Sequence, residues 1–199
     1  MRDSIVIIPT YNEKENIANI ISYTLRLSNR LHILIIEDGS PDGTAEIVKS
    51  LMPQFPDRLY IVERKGKLGL GTAYIAGFKW ALANNYQYIF EMDADFSHPP
   101  EKLLELLDAC ENKGAYLSVG SRYVKGGGVV NWPLNRLFLS WFASKYVRLM
   151  TGMRIKDTTA GFVCYRNETL RNIDFDKIKF VGYAFQIEMK YAVWLTEKK

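Results

Sequence analysis

The chain has 199 residues, 48% of them hydrophobic and 24% charged, and a net charge of +4. That length and mixture describe one globular domain able to bury a core, and they exclude a disordered or low-complexity chain. Two cysteines make no disulfide framework, and neither a signal peptide nor a run of about 18 apolar residues is present, so a cytosolic chain without a membrane span is expected. In chain order, Ser4–Ile8 is a β-branched run closed by Pro9 and predicts a buried strand. Asn12 is placed to cap a helix carrying Ile17, Ile20, Ile21 and Leu25 at helical spacing, with Glu13 and Glu15 in its first turn. Leu31–Ile36 is a second strand. Ser40-Pro41 predicts a cap followed by proline at the first helical position, with the helix running to about Leu51. Leu59–Val62, Tyr88–Met92 and Tyr116–Gly120 predict further strands, separated by helices over about Thr72–Ala83 and from Pro99-Pro100 through Cys110. Gly126-Gly127-Gly128 reads as a flexible loop, Leu134–Met150 as a helix dense in large apolar residues, Gly161–Tyr165 as a short strand and Ala184–Leu195 as a final helix. Strands separated by helices of this length make a parallel sheet with helices on both faces.

Ligands of open α/β sheets bind outside the carboxyl ends of the strands. Three polar clusters follow strands directly: Pro9-Thr10-Tyr11-Asn12-Glu13, Glu37-Asp38-Gly39-Ser40 and Asp93-Ala94-Asp95. Right-handed crossovers bring these ends to one edge. Asp93 and Asp95, two apart on extended backbone, project to one side, where paired carboxylates repel unless a cation lies between them. Hard ions such as Mg²⁺ or Mn²⁺ suit such oxygens and retain a phosphate ligand. Acidic pairs at strand ends are common by themselves; the position favours the metal. Lys65-Gly66-Lys67-Leu68-Gly69-Leu70-Gly71-Thr72 resembles a phosphate cradle but lacks the GxxxxGK[ST] order. A glycine turn packing a helix onto the sheet is the favoured reading, although Lys65 or Lys67 could approach a diphosphate. His32 and His98 stand alone and read as structural, as do Cys110 and Cys164.

The mild net charge hides an asymmetry. From Arg122 to Lys156 there are seven basic residues and no Asp or Glu, so this segment carries +7 and the remainder −3. A one-signed segment suits an anionic partner, or a solvated face with acidic neighbours in space. The Leu134–Met150 helix, with Arg136, Lys145 and Arg148 among large apolar residues, suits an anionic membrane surface or a core position.

Read in order, Ile7-Ile8-Pro9-Thr10-Tyr11-Asn12-Glu13, Glu37-Asp38-Gly39-Ser40-Pro41-Asp42-Gly43-Thr44, Gly69-Leu70-Gly71-Thr72-Ala73-Tyr74, Met92-Asp93-Ala94-Asp95-Phe96-Ser97-His98-Pro99-Pro100 and Gly120-Ser121-Arg122-Tyr123 resemble the inverting nucleotide-sugar transferases of glycosyltransferase family 2. Within that family the chain is most similar to the polyprenyl-phosphate (dolichyl-phosphate) mannose synthases. The resemblance spans nearly the whole chain. It implies a GT-A type fold with a mostly parallel sheet, arranged as a nucleotide-sugar-binding half over residues 1–121 and an acceptor-side half over 122–199. It implies that Pro9, Tyr11, Glu13, Ile36 and Asp38 line the base and ribose pocket, that Asp93, Ala94 and Asp95 meet the diphosphate and its Mg²⁺ or Mn²⁺ with Ser97 close by, and that Arg122 sits where donor and acceptor phosphates meet. The family usually has Asp where this chain has Glu37. Family members also continue past a Gly-Tyr-x-Phe-Gln-x-Glu segment, here Gly182 to Glu188, into a further strand and an Asp-Arg…Ser-Lys segment that this chain, ending at Lys199, does not contain.

An alcohol acceptor normally needs a general base beside the sugar. No carboxylate occurs between Arg122 and Lys156, and Asp157 and Glu188 are the main later candidates. A phosphate acceptor is already anionic near neutral pH and needs cations instead. Arg122 and Arg136 suit that task, with Lys125 a weaker candidate. The expected reaction is therefore metal-dependent transfer of a sugar, mannose from GDP-mannose being favoured, onto a polyprenyl phosphate. The expected setting is the cytoplasmic face of a membrane, with no nucleic-acid partner. Another donor such as UDP-glucose, a hydroxyl acceptor, and a nucleotide-binding relative without activity remain as alternatives. A sugar-nucleotide pyrophosphorylase would place a Gly-rich, Arg-bearing loop where Pro9-Thr10-Tyr11-Asn12-Glu13 stands, which argues against it.

Overall fold

A computed structural model describes residues 2–124, 134–182 and 184–197, without the side chains of residues 2, 134–137 and 139. The strands are β1 (Arg2–Thr10), β2 (Leu31–Glu37), β3 (Leu59–Glu63), β4 (Tyr86–Glu91), β5 (Leu117–Val119) and β6 (Val163–Arg166). The helices are α1 (Ile17–Leu27), α2 (Thr44–Leu51), α3 (Leu70–Ala83), α4 (Leu103–Glu111), α5 (Leu134–Thr151), α6 (Asn167–Arg171) and α7 (Ala184–Thr196). The strands form one sheet in the order β3-β2-β1-β4-β6-β5. Strands β1 to β4 are mutually parallel, so their carboxyl ends share one edge. The sheet is mostly parallel, as expected, with one strand reversed. β6 runs antiparallel to both β4 and β5 and lies between them. A short apolar run carries no signal of strand direction, and here the connection through α5 returns the chain from the opposite side.

Nearly continuous apolar runs in β1 and β2 follow from burial on both faces. Val6 and Ile8 of β1 join Ile33 and Ile35 of β2 in a core beneath α1, α2 and α4. The alternate residues Ile5, Ile7, Leu34 and Ile36 face a second core with Tyr74 and Phe78 of α3 and Phe185, Met189 and Val193 of α7. Helix α3 lies close on the sheet because Gly77 has no side chain. A Cβ there would stand 2.6 Å from Cγ2 and 2.9 Å from Cδ1 of Ile7. Overpacking of that kind costs about 1–3 kcal/mol, so Gly77→Ala is expected to lower the urea midpoint correspondingly, and an unchanged midpoint would contradict this packing.

Two helix starts differ from expectation for one reason. Asn12 is left-handed, at φ 60, and caps nothing; α1 begins only at Ile17, after a turn closed by the Glu13 carbonyl. The backbone amides of Asn12, Glu13 and Lys14 are instead donated to Ser40 Oγ (3.0 Å), Thr44 Oγ1 (3.1 Å) and Asp42 Oδ2 (3.1 Å). Helix α2 correspondingly starts at Thr44, whose amide and hydroxyl donate to Asp42 Oδ1. The two loops are thus bonded to each other, and residues 10–16 and 38–43 are held as a ledge. Pro100–Lys102 forms a 3₁₀ turn before α4. The expected glycine loop at residues 126–128 lies outside the described residues. Both cysteines are free and buried, and among the described residues no helix is long and apolar enough to cross a membrane.

Candidate active site

Loops after β1, β2, β3 and β4 converge on one edge of the sheet. Asp38 follows β2, and its carboxylate receives a bidentate pair from Arg64, which follows β3, at 2.6 and 2.7 Å. Arg64 Nη1 also donates to Thr72 Oγ1 at the start of α3. Glu37 accepts the amides of Gly39 (2.9 Å) and Ser40 (2.7 Å), so its carboxylate shapes the loop. Tyr11 lies on the exposed ledge with Lys67 Nζ 4.5 Å from its ring centroid, a cation–π distance. Pro9 closes β1 beside Ile36 in the register. Glu13 acts at the helix start, and its carboxylate accepts from the Asn16 side chain. Ile36 and Ala94 point into the cores, so a contribution to the cleft would come from their main chain. Gly71 packs against Phe180 and Phe185, where a Cβ would stand 2.8 Å from the Phe180 carbonyl oxygen, in keeping with a glycine packing turn.

Asp93 follows β4. Its Oδ1 accepts from Tyr74 Oη at 3.2 Å, and its amide donates to His98 Nδ1 at 3.2 Å. An imidazole nitrogen that accepts carries no proton, so His98 is the neutral tautomer protonated at Nε2, which faces Asp93 Oδ2 at 3.9 Å. Burial also holds the His98 pKa down. Its ring stacks on Phe162 at 5.1 Å. His98 thus has a structural role, holding the turn that carries the carboxylates. Asp95 is exposed, and its Oδ1 accepts the Ser97 amide at 3.0 Å. Burial raises the Asp93 carboxyl above its ordinary range, and the Asp95 charge raises it further. A cation would relieve that repulsion. Among the described residues no third His, Cys, Asp or Glu completes a metal cage. Two carboxylates alone still fit a hard divalent ion that keeps waters and phosphate oxygens as its other ligands.

The chain after β5 meets this cleft through the segment before β6. Arg122 Nε and Nη2 bind Asp157 at 2.8 and 2.6 Å, the Arg122 amide donates to Asp157 Oδ2 at 3.0 Å, and Nη2 reaches Thr159 Oγ1 at 2.6 Å. Asp157 is fully buried. Burial by itself would raise its carboxyl, but the Arg122 hydrogen bonds outweigh this and hold it below the usual range. It is thus a poor general base. Glu188, the other candidate, accepts the amides of Lys179 and Phe180 at 2.9 Å each. Gly161 abuts His98 and the Asp93 carboxylate: a Cβ there would lie 3.6 Å from His98 Cε1 and 3.9 Å from Asp93 Oδ2. The charges of Asp93, Asp95, Arg122 and Asp157 all act on His98, so the turn after β4 and the segment before β6 meet around it. Lys125 and the side chain of Arg136 lie outside the described residues. A cavity of about 740 Å³ at the amino-terminal end of β4, lined by Tyr86, Arg166 and Arg171 among others, contains none of these groups.

Helix α5 hangs on this segment by Ser140 Oγ to Thr159 Oγ1 (3.0 Å) and Ser144 Oγ to Thr158. Its other face is open: Phe138 (67%), Phe142 (57%) and Leu149 (82%) are exposed, as are Trp141, Tyr146 and Met150. The core alternative for this helix is therefore corrected.

A mostly parallel sheet with this order, bearing a polar cleft at the carboxyl ends of β1, β2 and β4, defines a GT-A type glycosyltransferase. Residues 5–175 match Glycosyl transferase family 2, and the chain belongs to that family. It is 48% identical over 188 residues to the polyprenol monophosphomannose synthase of Mycolicibacterium smegmatis, covering 94% of this chain and 71% of that protein. It is 43% identical to the undecaprenyl-phosphate mannosyltransferase of Micrococcus luteus, covering 94% and 76%. The dolichol-phosphate mannosyltransferase of Pyrococcus furiosus is 38% identical, and there the match spans 53% of the relative. Among solved structures, glucosyl-3-phosphoglycerate synthase from Mycobacterium tuberculosis in complex with Mn²⁺ and uridine-diphosphate-glucose superposes with a TM-score of 0.67 at 19% identity, covering 94% of this chain and 63% of that one.

Proposed function

We propose that this glycosyltransferase moves mannose from GDP-mannose onto a polyprenyl phosphate at a membrane surface. The observation that carries the reading is the Arg122–Asp157 pair. It commits Asp157, a carboxylate that could otherwise deprotonate an alcohol, and holds the Arg122 guanidinium in place near His98, which suits an acceptor that arrives already ionised. The names of the relatives at 38–48% identity support the same acceptor class. Pro9, Tyr11, Glu13, Ile36 and Asp38 are assigned to the base and ribose, with Arg64 fixing the Asp38 carboxylate. Asp93, Asp95 and Ser97 would hold Mg²⁺ or Mn²⁺, which as a Lewis acid would stabilise the departing diphosphate. Arg122, with Lys125 and Arg136, would hold the acceptor phosphate. A phosphate oxygen attacks the anomeric carbon from the face opposite the diphosphate. The new C–O bond forms as the old one breaks, its electron pair leaves with the nucleoside diphosphate, and no proton need be removed.

The open face of α5 is assigned to the lipid. Its aromatic and aliphatic side chains, with Lys145 and Arg148 beside them and no acidic residue between Arg122 and Lys156, suit an anionic interface. The test offers GDP-mannose and UDP-glucose separately, with Mg²⁺ or Mn²⁺ and a short polyprenyl phosphate. A labelled, organic-soluble product from GDP-mannose is expected; no lipid product with either donor overturns the reading. Glu188→Gln provides a second check. The amide oxygen can still accept from residues 179 and 180, so transfer should stay within about threefold of wild type, whereas a loss of about a hundredfold or more would mark Glu188 as a base and the acceptor as a hydroxyl.

A further inference from the structure

Beneath the cleft lies a buried polar chain that the proposed mechanism does not use. Lys190 of α7 is fully buried. Its ammonium has three protons to donate, and it finds the Ala160 carbonyl at 2.6 Å, the Gln186 carbonyl at 3.1 Å and Gln186 Oε1 at 3.0 Å. Gln186 Nε2 in turn donates to Glu91 Oε2 at 2.5 Å, and Tyr165 Oη donates to Glu91 Oε1 at 3.4 Å. Each end of this chain adjoins a working group. Glu91 is the last residue of β4, two before Asp93. Ala160 adjoins Gly161, which abuts His98 and Asp93, and follows the Asp157–Thr159 stretch that grips Arg122.

We propose that Lys190 is a positioning residue: through the Ala160 carbonyl on one side and Gln186 and Glu91 on the other, it sets the distance between the Arg122-bearing acceptor half and the Asp93–Asp95 turn. This deepens the reading above and rests on it. Stability alone gives little reason to keep such a group, because buried charged groups replaced together by apolar or neutral residues of similar shape often leave a protein no less stable. Geometry does give a reason. An inverting displacement needs nucleophile and leaving group in line, and a shift of about 1 Å can cost on the order of a hundredfold in rate. A methionine at position 190 fills the volume but cannot reach out to the Ala160 oxygen.

The test is the double variant Lys190→Met/Glu91→Gln, which neutralises both ends of the chain that runs through Gln186. Donor KM, kcat, thermal midpoint and amide exchange are measured beside wild type. The expected result is a midpoint and donor KM close to wild type, the latter within about threefold, with kcat lower by about thirtyfold or more. Amide exchange is expected to quicken about tenfold over residues 157–161 and to stay unchanged in β1 and β2. A folded variant with kcat within about threefold of wild type overturns the proposal. So does a variant that fails to fold, or one whose exchange quickens throughout the sheet, since Lys190 would then serve stability alone. Amide exchange needs no substrate, and the kinetic readout is a ratio to wild type. A wild-type protein without lipid transfer therefore counts against the proposed function and leaves the exchange result to decide this one.

Discussion

Asp95→Asn is expected to lower sugar transfer by about two to three orders of magnitude while leaving the fold intact. The side chain is exposed and makes one hydrogen bond, from the Ser97 amide, which an asparagine oxygen accepts equally well. No core contact changes, so the thermal midpoint should move by no more than about 2 °C, as for surface substitutions generally. The charge is another matter. Asp95 stands close enough to Asp93 to raise its carboxyl, and two such groups tolerate each other best around a cation. Removing one charge weakens the hold on a divalent ion and its diphosphate. Steady-state transfer across a Mn²⁺ titration checks this: the variant should need more metal and reach a lower plateau, and a plateau within about threefold of wild type would contradict the assignment.

Arg122→Ala is expected to be severe in both activity and stability. It deletes the cation assigned to the acceptor and strands a fully buried carboxylate. Breaking a buried pair from one side costs about 3–5 kcal/mol, against which most single substitutions are small. The pH dependence separates this cause from lost packing. Arg122 holds the Asp157 carboxyl low, so the folded state binds that proton less readily than the unfolded chain. The stability so contributed is present above the unfolded carboxylate pKa and is lost as pH falls through the lower folded value. In the variant, Asp157 has no guanidinium, and acid should relieve it by protonation. The stability gap between the two proteins should therefore narrow toward acid pH in denaturant melts. A gap that stays constant down to the acid transition would mean that Arg122 serves as packing and not as a charge partner.

How far these features can be read from residue order varies with the range of the forces involved. The apolar runs of β1 and β2 and the polar clusters closing them are local, and the sheet edge follows from right-handed crossovers. The direction of β6 is not local, since a strand of four residues carries no signal of direction and pairs antiparallel because of where the chain returns. Asn12 and Ser40 are good capping residues, yet both serve a loop-to-loop ledge, since their partners lie 28 positions apart. His98 stands alone in sequence but takes the amide of Asp93 five residues back. Arg64 sits in a lysine- and glycine-rich stretch that draws the eye to phosphate, whereas its partner is Asp38. Lys190 is the least legible. In a helix it reads as one more solvated cation, and only the tertiary fold buries it against Ala160. Asp157 was visible as a carboxylate; that it is already committed to Arg122, 35 residues away, was not.

An acceptor that arrives as an ionised phosphate lets the site dispense with a base. The most direct measurement compares two acceptors of equal chain length in the same vesicles, a polyprenyl phosphate and the corresponding free polyprenol, with GDP-mannose and Mn²⁺. Transfer to the phosphate alone, at a rate that falls as pH drops below its second pKa of about 6, is the predicted result. Comparable transfer to the free alcohol would contradict the account.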